Sequence, residues 1–324
     1  MTTIEQSQQP ASNLDVARWQ DITALQVGVI AGVVAKILET YAFAERKEIQ
    51  AIQPSTILPF KAAVLPANEA VLEKVFPGYT PPSPEMLASH KEYAGAPENY
   101  GSAPGEASAL LVQLTKAIQP ETAFVFGTAR GRLEQLIAQS CDLTEIVTID
   151  LPTALVAVAP GKPDSNNIRY REKIGIDNDS KIGDIFSADS EISDRMHQIL
   201  GDSFTFSPER LRNTMRLIVV DGNHQLPNCL MDLANALDMA HEDGAVIMVD
   251  DFRKKDSPLN SGVDGAVANF SQITGLPALM PCPRPGEKGL QASAAILVVP
   301  SDYQKKAEMV STLRSLATML KSFE

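Results

Sequence analysis

The sequence predicts an α/β fold: a mostly parallel, Rossmann-like sheet with helices on both faces, preceded by a helical N-terminal extension. Three observations predict it. From Glu106 onward, short apolar runs alternate with helix-periodic segments. The runs are continuously apolar, the pattern of strands buried on both faces rather than half-solvated ones. At 324 residues the chain is long enough for one domain of about 200 residues and a substantial further segment.

Taken in order, residues 1–13 are rich in Gln, Ser and Thr and have little to bury, so a disordered tail is expected. Residues 14–50 read as helical, because Val16, Trp19, Ile22, Leu25 and Val29 recur at three- and four-residue steps. Residues 53–105 carry many prolines, including Pro81, Pro82 and Pro84, and read as short helices with irregular connections. A helix follows at 107–118, a strand at 123–126, a turn at 127–131 and a helix at 133–140. Strand 146–149 ends at Asp150. Residues 198–203 read as a short strand and a polar turn. Strand 217–220 ends at Asp221, helix 226–240 follows, and strand 245–249 ends at Asp250 and Asp251. Residues 294–299 are a late strand. The domain division is therefore a tail at 1–13, a helical extension at 14–103 and the α/β domain at 104–324. The extension is the expected ligand pocket, lid or dimer contact, and the 254–290 segment an expected pocket wall or dimer contact.

Charge and cysteines narrow the function. A net charge of −12 disfavours nucleic acid and anionic lipid, and the basic run is short, Arg253 to Lys255. The most apolar early stretch, 24–38, is shorter than the ~20 residues needed to span a bilayer. It could pack on its own domain or against a second copy as a homodimer contact. Without a charged n-region and apolar h-region, the cytoplasm is the expected location. Cys141, Cys229 and Cys282 form no CxxC pair and read as buried apolar fillers. His90, His197 and His241 read as surface or packing residues.

Ligands of such sheets bind beyond the carboxyl ends of the strands, so the residues there are the candidates. Gly127, Thr128, Ala129 and Gly131 follow the first strand, where glycines let a backbone approach a ligand; a bland tight turn is the rival. Asp150 can accept ribose hydroxyls, or cap a helix near Pro152. Asp202 and Ser203 can face an adenine, or belong to an N-capped loop. Asp221, Asp250 and Asp251 supply hard oxygen donors suited to Mg²⁺, or cap helices. His224 is a base, a substrate contact or a structural histidine.

In order and spacing these pieces resemble the class I S-adenosylmethionine-dependent methyltransferases over roughly residues 104–300. The turn Phe126-Gly127-Thr128-Ala129-Arg130-Gly131 is similar to the family's first motif. Asp150 and Leu151 in Thr148-Ile149-Asp150-Leu151-Pro152 stand at the ribose-holding position, and Gly201-Asp202-Ser203 at the adenine side. Asp221-Gly222-Asn223-His224 is similar to the DGxH motif of a bacterial branch, and Lys181-Ile182-Gly183-Asp184-Ile185-Phe186 to an insertion in that branch. The acids also resemble those of O-methyltransferases of the catechol, macrocin and cephamycin types. That resemblance implies Mg²⁺ on Asp221, Asp250 and Asp251, His224 and Asp221 as catalytic groups, and a small-molecule acceptor methylated on oxygen. Val125 departs from the pattern, which usually has an acid two residues before the first glycine. The alternatives are nitrogen, carbon or peptide methylation without metal, and a catalytically silent binding or assembly protein, which Val125 favours. A NAD-dependent dehydrogenase is disfavoured because GxGxxG is missing.

Overall fold

The computed structural model describes residues 64–95, 105–156, 171, 175–252, 261–281 and 293–322. They fall in the second of two units, residues 60–324. The readings for residues 1–13, 14–50 and 24–38, for Cys282 and for Arg253 to Lys255 lie outside the described residues.

The strands are β1 (Val64–Ala67), β2 (Thr122–Phe126), β3 (Glu145–Asp150), β4 (Met196–Leu200), β5 (Leu217–Val220), β6 (Ala245–Asp250), β7 (Ala278–Pro281) and β8 (Ala294–Val299). They join in one sheet in the order β1-β7-β8-β6-β5-β2-β3-β4. β6, β5, β2, β3 and β4 run parallel to one another, and β8 is antiparallel to both β6 and β7. The chain leaves β2 towards β3 and β4, then returns to β5 and β6 on the other side. The order therefore reverses between β2 and β5, the switch point where open α/β sheets form a crevice.

Buried strand pairing explains the continuous apolar runs. Every residue of β5 and β6 is buried, as are the last four of β2. β4 is an edge strand, and mostly exposed or half-exposed. The alternation of side chains across a strand sends Ala123, Val125, Leu217, Val219, Val246 and Met248 into a core shared with the helices of one face. Those helices are α1 (Glu69–Val75), α2 (Pro84–Gly95), α3 (Gly105–Ile118) and α4 (Arg132–Ser140). α3 places Ala107, Leu110, Leu111 and Leu114 in that core, a spacing of three and four residues that makes one apolar face.

The other long helices are α5 (Leu226–Met239), α6 (Ser261–Thr274) and α7 (Lys306–Lys321). α5 opens with Pro227 in its first turn, a position that has no amide partner to lose. It is buried on all sides from Pro227 to Met239, because it packs against β5, α6 and α7. Two of its polar residues, Asn235 and Asp238, are paired with arginines from outside it. Asp238 accepts from Arg212 at 2.9 Å and from Arg314 at 2.8 Å, and Asn235 accepts from Arg314 at 2.9 Å.

The strands at 123–126, 146–149, 217–220, 245–249 and 294–299 appear where the apolar runs stand. β1 and β7 do not stand out in the sequence, since each has four residues including a proline. Pro66 is tolerated because β1 lies at the sheet edge. β1 also places a strand inside the segment expected to hold short helices and connections. α6 and α7 add two helices beyond those expected, although both carry helix-period apolar positions.

Candidate active site at the strand ends

The reversal of strand order brings the ends of β4, β3, β2, β5 and β6 side by side along one edge. Gly127, Asp150, Gly201, Asp221 and Asp251 each follow or close one of these strands. Backbone bonds join the loops laterally: Gly127 N–H donates to the Ile149 carbonyl at 2.9 Å, Gly201 N–H to the Asp150 carbonyl at 2.8 Å, and Asp221 N–H to the Phe126 carbonyl at 2.9 Å.

The glycine turn has a packing reason of its own. Gly127 has φ +89°, and a Cβ there would lie 2.1 Å from the Asp221 carbonyl oxygen. Gly131 has φ +90° and would meet the Phe186 ring at 2.4 Å. Ala129 between them also adopts a positive φ, +46°. The turn is further clipped by the insertion around Gly183. Gly183 N–H donates to the Ala129 carbonyl at 2.9 Å and Ile185 N–H to the Arg130 carbonyl at 3.0 Å, while Arg130 grips Asp184 with two bonds of 2.9 and 2.8 Å. The motif Lys181 to Phe186 thus works as a clamp on the turn. Thr128 is buried, and its hydroxyl shares a 2.6 Å bond with Thr148.

Asp150 organises the next corner. Its Oδ2 accepts from Ala129 N–H at 2.7 Å, and its Oδ1 from Leu151 N–H at 2.7 Å and from Arg171 at 2.6 Å. Burial pushes its carboxyl up, and the Arg171 cation opposes that shift. A carboxylate has about four acceptor positions, so one remains for a ligand. Asp202 lies exposed beside this corner, and its Oδ1 accepts from Phe204 N–H at 2.9 Å. Ser203, half-buried, approaches α5, where its carbonyl accepts from Asn235 at 3.4 Å.

At the β5 and β6 ends His224 stands between two acids. Its Nε2 is 3.6 Å from Asp221 Oδ1 and its Nδ1 is 3.5 Å from Asp251 Oδ2. The ring is 28% exposed, enough to meet a ligand. Asp251 adopts φ +57°, which turns the chain sharply just after β6. Asp250 closes β6 opposite Ala294 and is 3% exposed. Asp250 and Asp251 therefore do not work as one pair: Asp250 is held in the sheet, whereas Asp251 faces the histidine. Among the described residues no group of three His, Cys, Asp or Glu side chains is set to hold a metal ion. The expected ligand set Asp221, Asp250 and Asp251 does not assemble in this arrangement.

Four participants do not stand out in the sequence. Arg171 lies in a run without periodicity. Gly262 opens α6, and a Cβ there would lie 2.1 Å from the His224 carbonyl oxygen. Glu134 and Asp232 are fully buried acids whose carboxyls burial pushes up to about 8. Glu134 bonds Thr148 below the glycine turn, and Asp232 packs against Gly222, where an added Cβ would meet its Oδ2 at 2.9 Å. Both acids sit on apolar helix faces, Glu134 with Ile137 and Ala138, Asp232 with Cys229 and Ala236. A charge on an apolar stripe is the signal that could have found them.

Residues 124–252 match a family model described as a methyltransferase domain. No curated protein sequence matches the chain. Among solved structures, an SAH-bound methyltransferase from Podospora anserina is 15% identical, with a TM-score of 0.40 over 72% of this chain and 97% of that one. An O-methyltransferase from Bacillus cereus in complex with SAH is 14% identical, with a TM-score of 0.37 over 71% and 96%. A methyltransferase from Geobacter sulfurreducens is 14% identical, with a TM-score of 0.40 over 74% and 100%. Among the described residues no helix is long and apolar enough to cross a membrane. With its glycine turn, strand-end acids and reversed strand order, the segment from residue 124 to 252 is similar to a methyltransferase domain.

Proposed function

We propose that the chain transfers a methyl group to a hydroxyl oxygen of a small-molecule acceptor, with His224 as the base. The observation that carries this reading is the position of His224, partly exposed at the same sheet edge as the glycine turn and held between Asp221 and Asp251. The turn suits a cofactor, since it lies at the strand ends beside the switch point and its rim carries the Asp150 carboxylate. S-adenosylmethionine, when bound, supplies a methyl already activated by a positive sulfur.

The chain's own residues then have three tasks. Gly127, Thr128, Ala129, Gly131, Asp150 and Leu151, with Asp202 and Ser203 at the far side, line and orient the nucleoside. Asp221 and Asp251 orient the imidazole and stabilise it as a cation. His224 accepts the proton that the acceptor hydroxyl releases as its oxygen bonds to the methyl carbon and the carbon–sulfur bond breaks, the electron pair leaving with the sulfur. Because the three expected metal ligands do not assemble, no step is routed through Mg²⁺.

The test combines binding and turnover. Calorimetry should show S-adenosylhomocysteine binding, and Asp150→Ala should weaken it by about 1–3 kcal/mol, the worth of hydrogen bonds to a charged group. With a panel of hydroxylated small molecules, His224→Ala should lower kcat by about 10²–10⁴-fold with affinity for the cofactor product retained, the usual contribution of a positioned base. Full activity in the His224 variant would remove it from the mechanism. Turnover that collapses on EDTA treatment would restore the metal reading.

A further inference from the structure

Beside Asp150 lies a guanidinium with unfinished hydrogen bonding. Arg171 Nη2 donates to Asp150 Oδ1 at 2.6 Å and to the Leu151 carbonyl at 2.6 Å. The two side chains are only 7% and 13% exposed. Nη1 of the same guanidinium is buried and has no hydrogen-bond partner. A buried cationic donor is costly to leave unsatisfied, so the corner is complete only when an acceptor arrives from outside the protein.

We propose that Arg171 is a positioning residue of the nucleoside site, holding the Asp150 carboxylate as an oriented anion and offering Nη1 to an oxygen or ring nitrogen of the bound nucleoside. The inference rests on the cofactor reading above. The surroundings explain why such a residue is needed. Asp179, from the turn at 179–181, disfavours the charge on Asp150, and the charge on Asp150 in turn raises the buried Glu134 of α4. The Ala129 and Leu151 amides favour it, but burial acts more strongly. Arg171 is the cation that offsets burial, and its planar fork fixes the direction of the carboxylate as well as its charge.

The test is S-adenosylhomocysteine binding by calorimetry from about pH 8.5 down to about pH 5.5, so that proton uptake by the carboxylate is read as a change in affinity. The proteins are the unmodified chain, Arg171→Met and Arg171→Lys. The unmodified chain should bind with little change across the range. Arg171→Met should bind about tenfold more weakly at the alkaline end, having lost the Nη1 contact, and weaken further as pH falls and Asp150 takes up a proton. Arg171→Lys should also bind about tenfold more weakly, because the fork is lost. Its pH profile should stay flat, because the charge is kept. A methionine variant with unchanged affinity and a profile parallel to the unmodified chain overturns the proposal. Should that variant fail to fold, the lysine variant decides alone: weaker binding with a flat profile supports the role, and undiminished affinity removes it. Failure of the unmodified chain to bind overturns the cofactor reading itself, and the role of Arg171 with it.

Discussion

Gly262→Ala should lower kcat by about a hundredfold while leaving S-adenosylhomocysteine affinity within about twofold, the pattern expected when a catalytic group moves by about 1 Å. The substitution adds one methyl group, but the space for it is filled by backbone. The new Cβ would sit 2.1 Å from the His224 carbonyl oxygen and 2.7 Å from the Leu226 nitrogen. Neither atom can rotate away as a side chain would, so α6 or the turn from Gly222 to Gln225 must shift. That turn carries His224, whereas the glycine turn and Asp150 are held by bonds from Gly127 to Ile149 and from Ala129 and Arg171 to Asp150. The disturbance should therefore separate chemistry from cofactor affinity. Overpacking of this kind also costs about 1–3 kcal/mol of stability. Steady-state kinetics beside calorimetry check it; an alanine variant with unaltered kcat would show that the His224 turn is not fixed by α6.

The second large effect concerns the two buried acids. Glu134 and Asp232 are both 0% exposed, and burial raises their carboxyls to about 8 from ordinary values of 4.5 and 3.8. The folded chain then keeps two protons that the unfolded chain releases at lower pH. Where the folded state binds more protons, stability falls as pH rises. The contribution is fully present below the unfolded values and lost progressively as pH climbs to about 8. Its size is on the order of 5 kcal/mol for each acid, from about 1.4 kcal/mol per pH unit. Urea unfolding should give a markedly lower midpoint at about pH 8.5 than at about pH 6. The double variant Glu134→Gln, Asp232→Asn should flatten that dependence, since amides of the same shape do not titrate. Equal midpoints at both values in the unmodified chain would mean that neither acid keeps its proton.

The central sheet is legible in the sequence because its strands are hydrophobic runs bounded by turn residues, and burial on both faces is what such runs require. The same runs end in Asp150, Asp221 and Asp250, so the amino-acid order alone locates the site's edge. β1 and β7 are hidden by their length and prolines, which propensity cannot distinguish from a loop. Nor can it assign direction to the strand at 294–299, because antiparallel pairing with β6 is a property of the partner. The site residues that escape a linear reading are those whose role lies in contact across elements. Arg171 matters through a carboxylate 21 positions away, and Gly262 through a carbonyl 38 positions away. The metal expectation fails for a related reason: consecutive acids look like a pair in a sequence, but Asp250 stays in the sheet while Asp251 turns to the histidine.

The antiparallel strand at 294–299 has a consequence for how the molecule is built. It lies between two strands synthesised before it, and β1 and β7 reach the rest of the sheet only through it. During synthesis the parallel block from residue 122 to 250 can assemble as it emerges, because each of its strands pairs with a neighbour in that block. The outer pair must wait until the last strand leaves the ribosome and is inserted. The parallel half of the sheet can thus form early, while its other flank is sewn on only after residues 294–299 have been made.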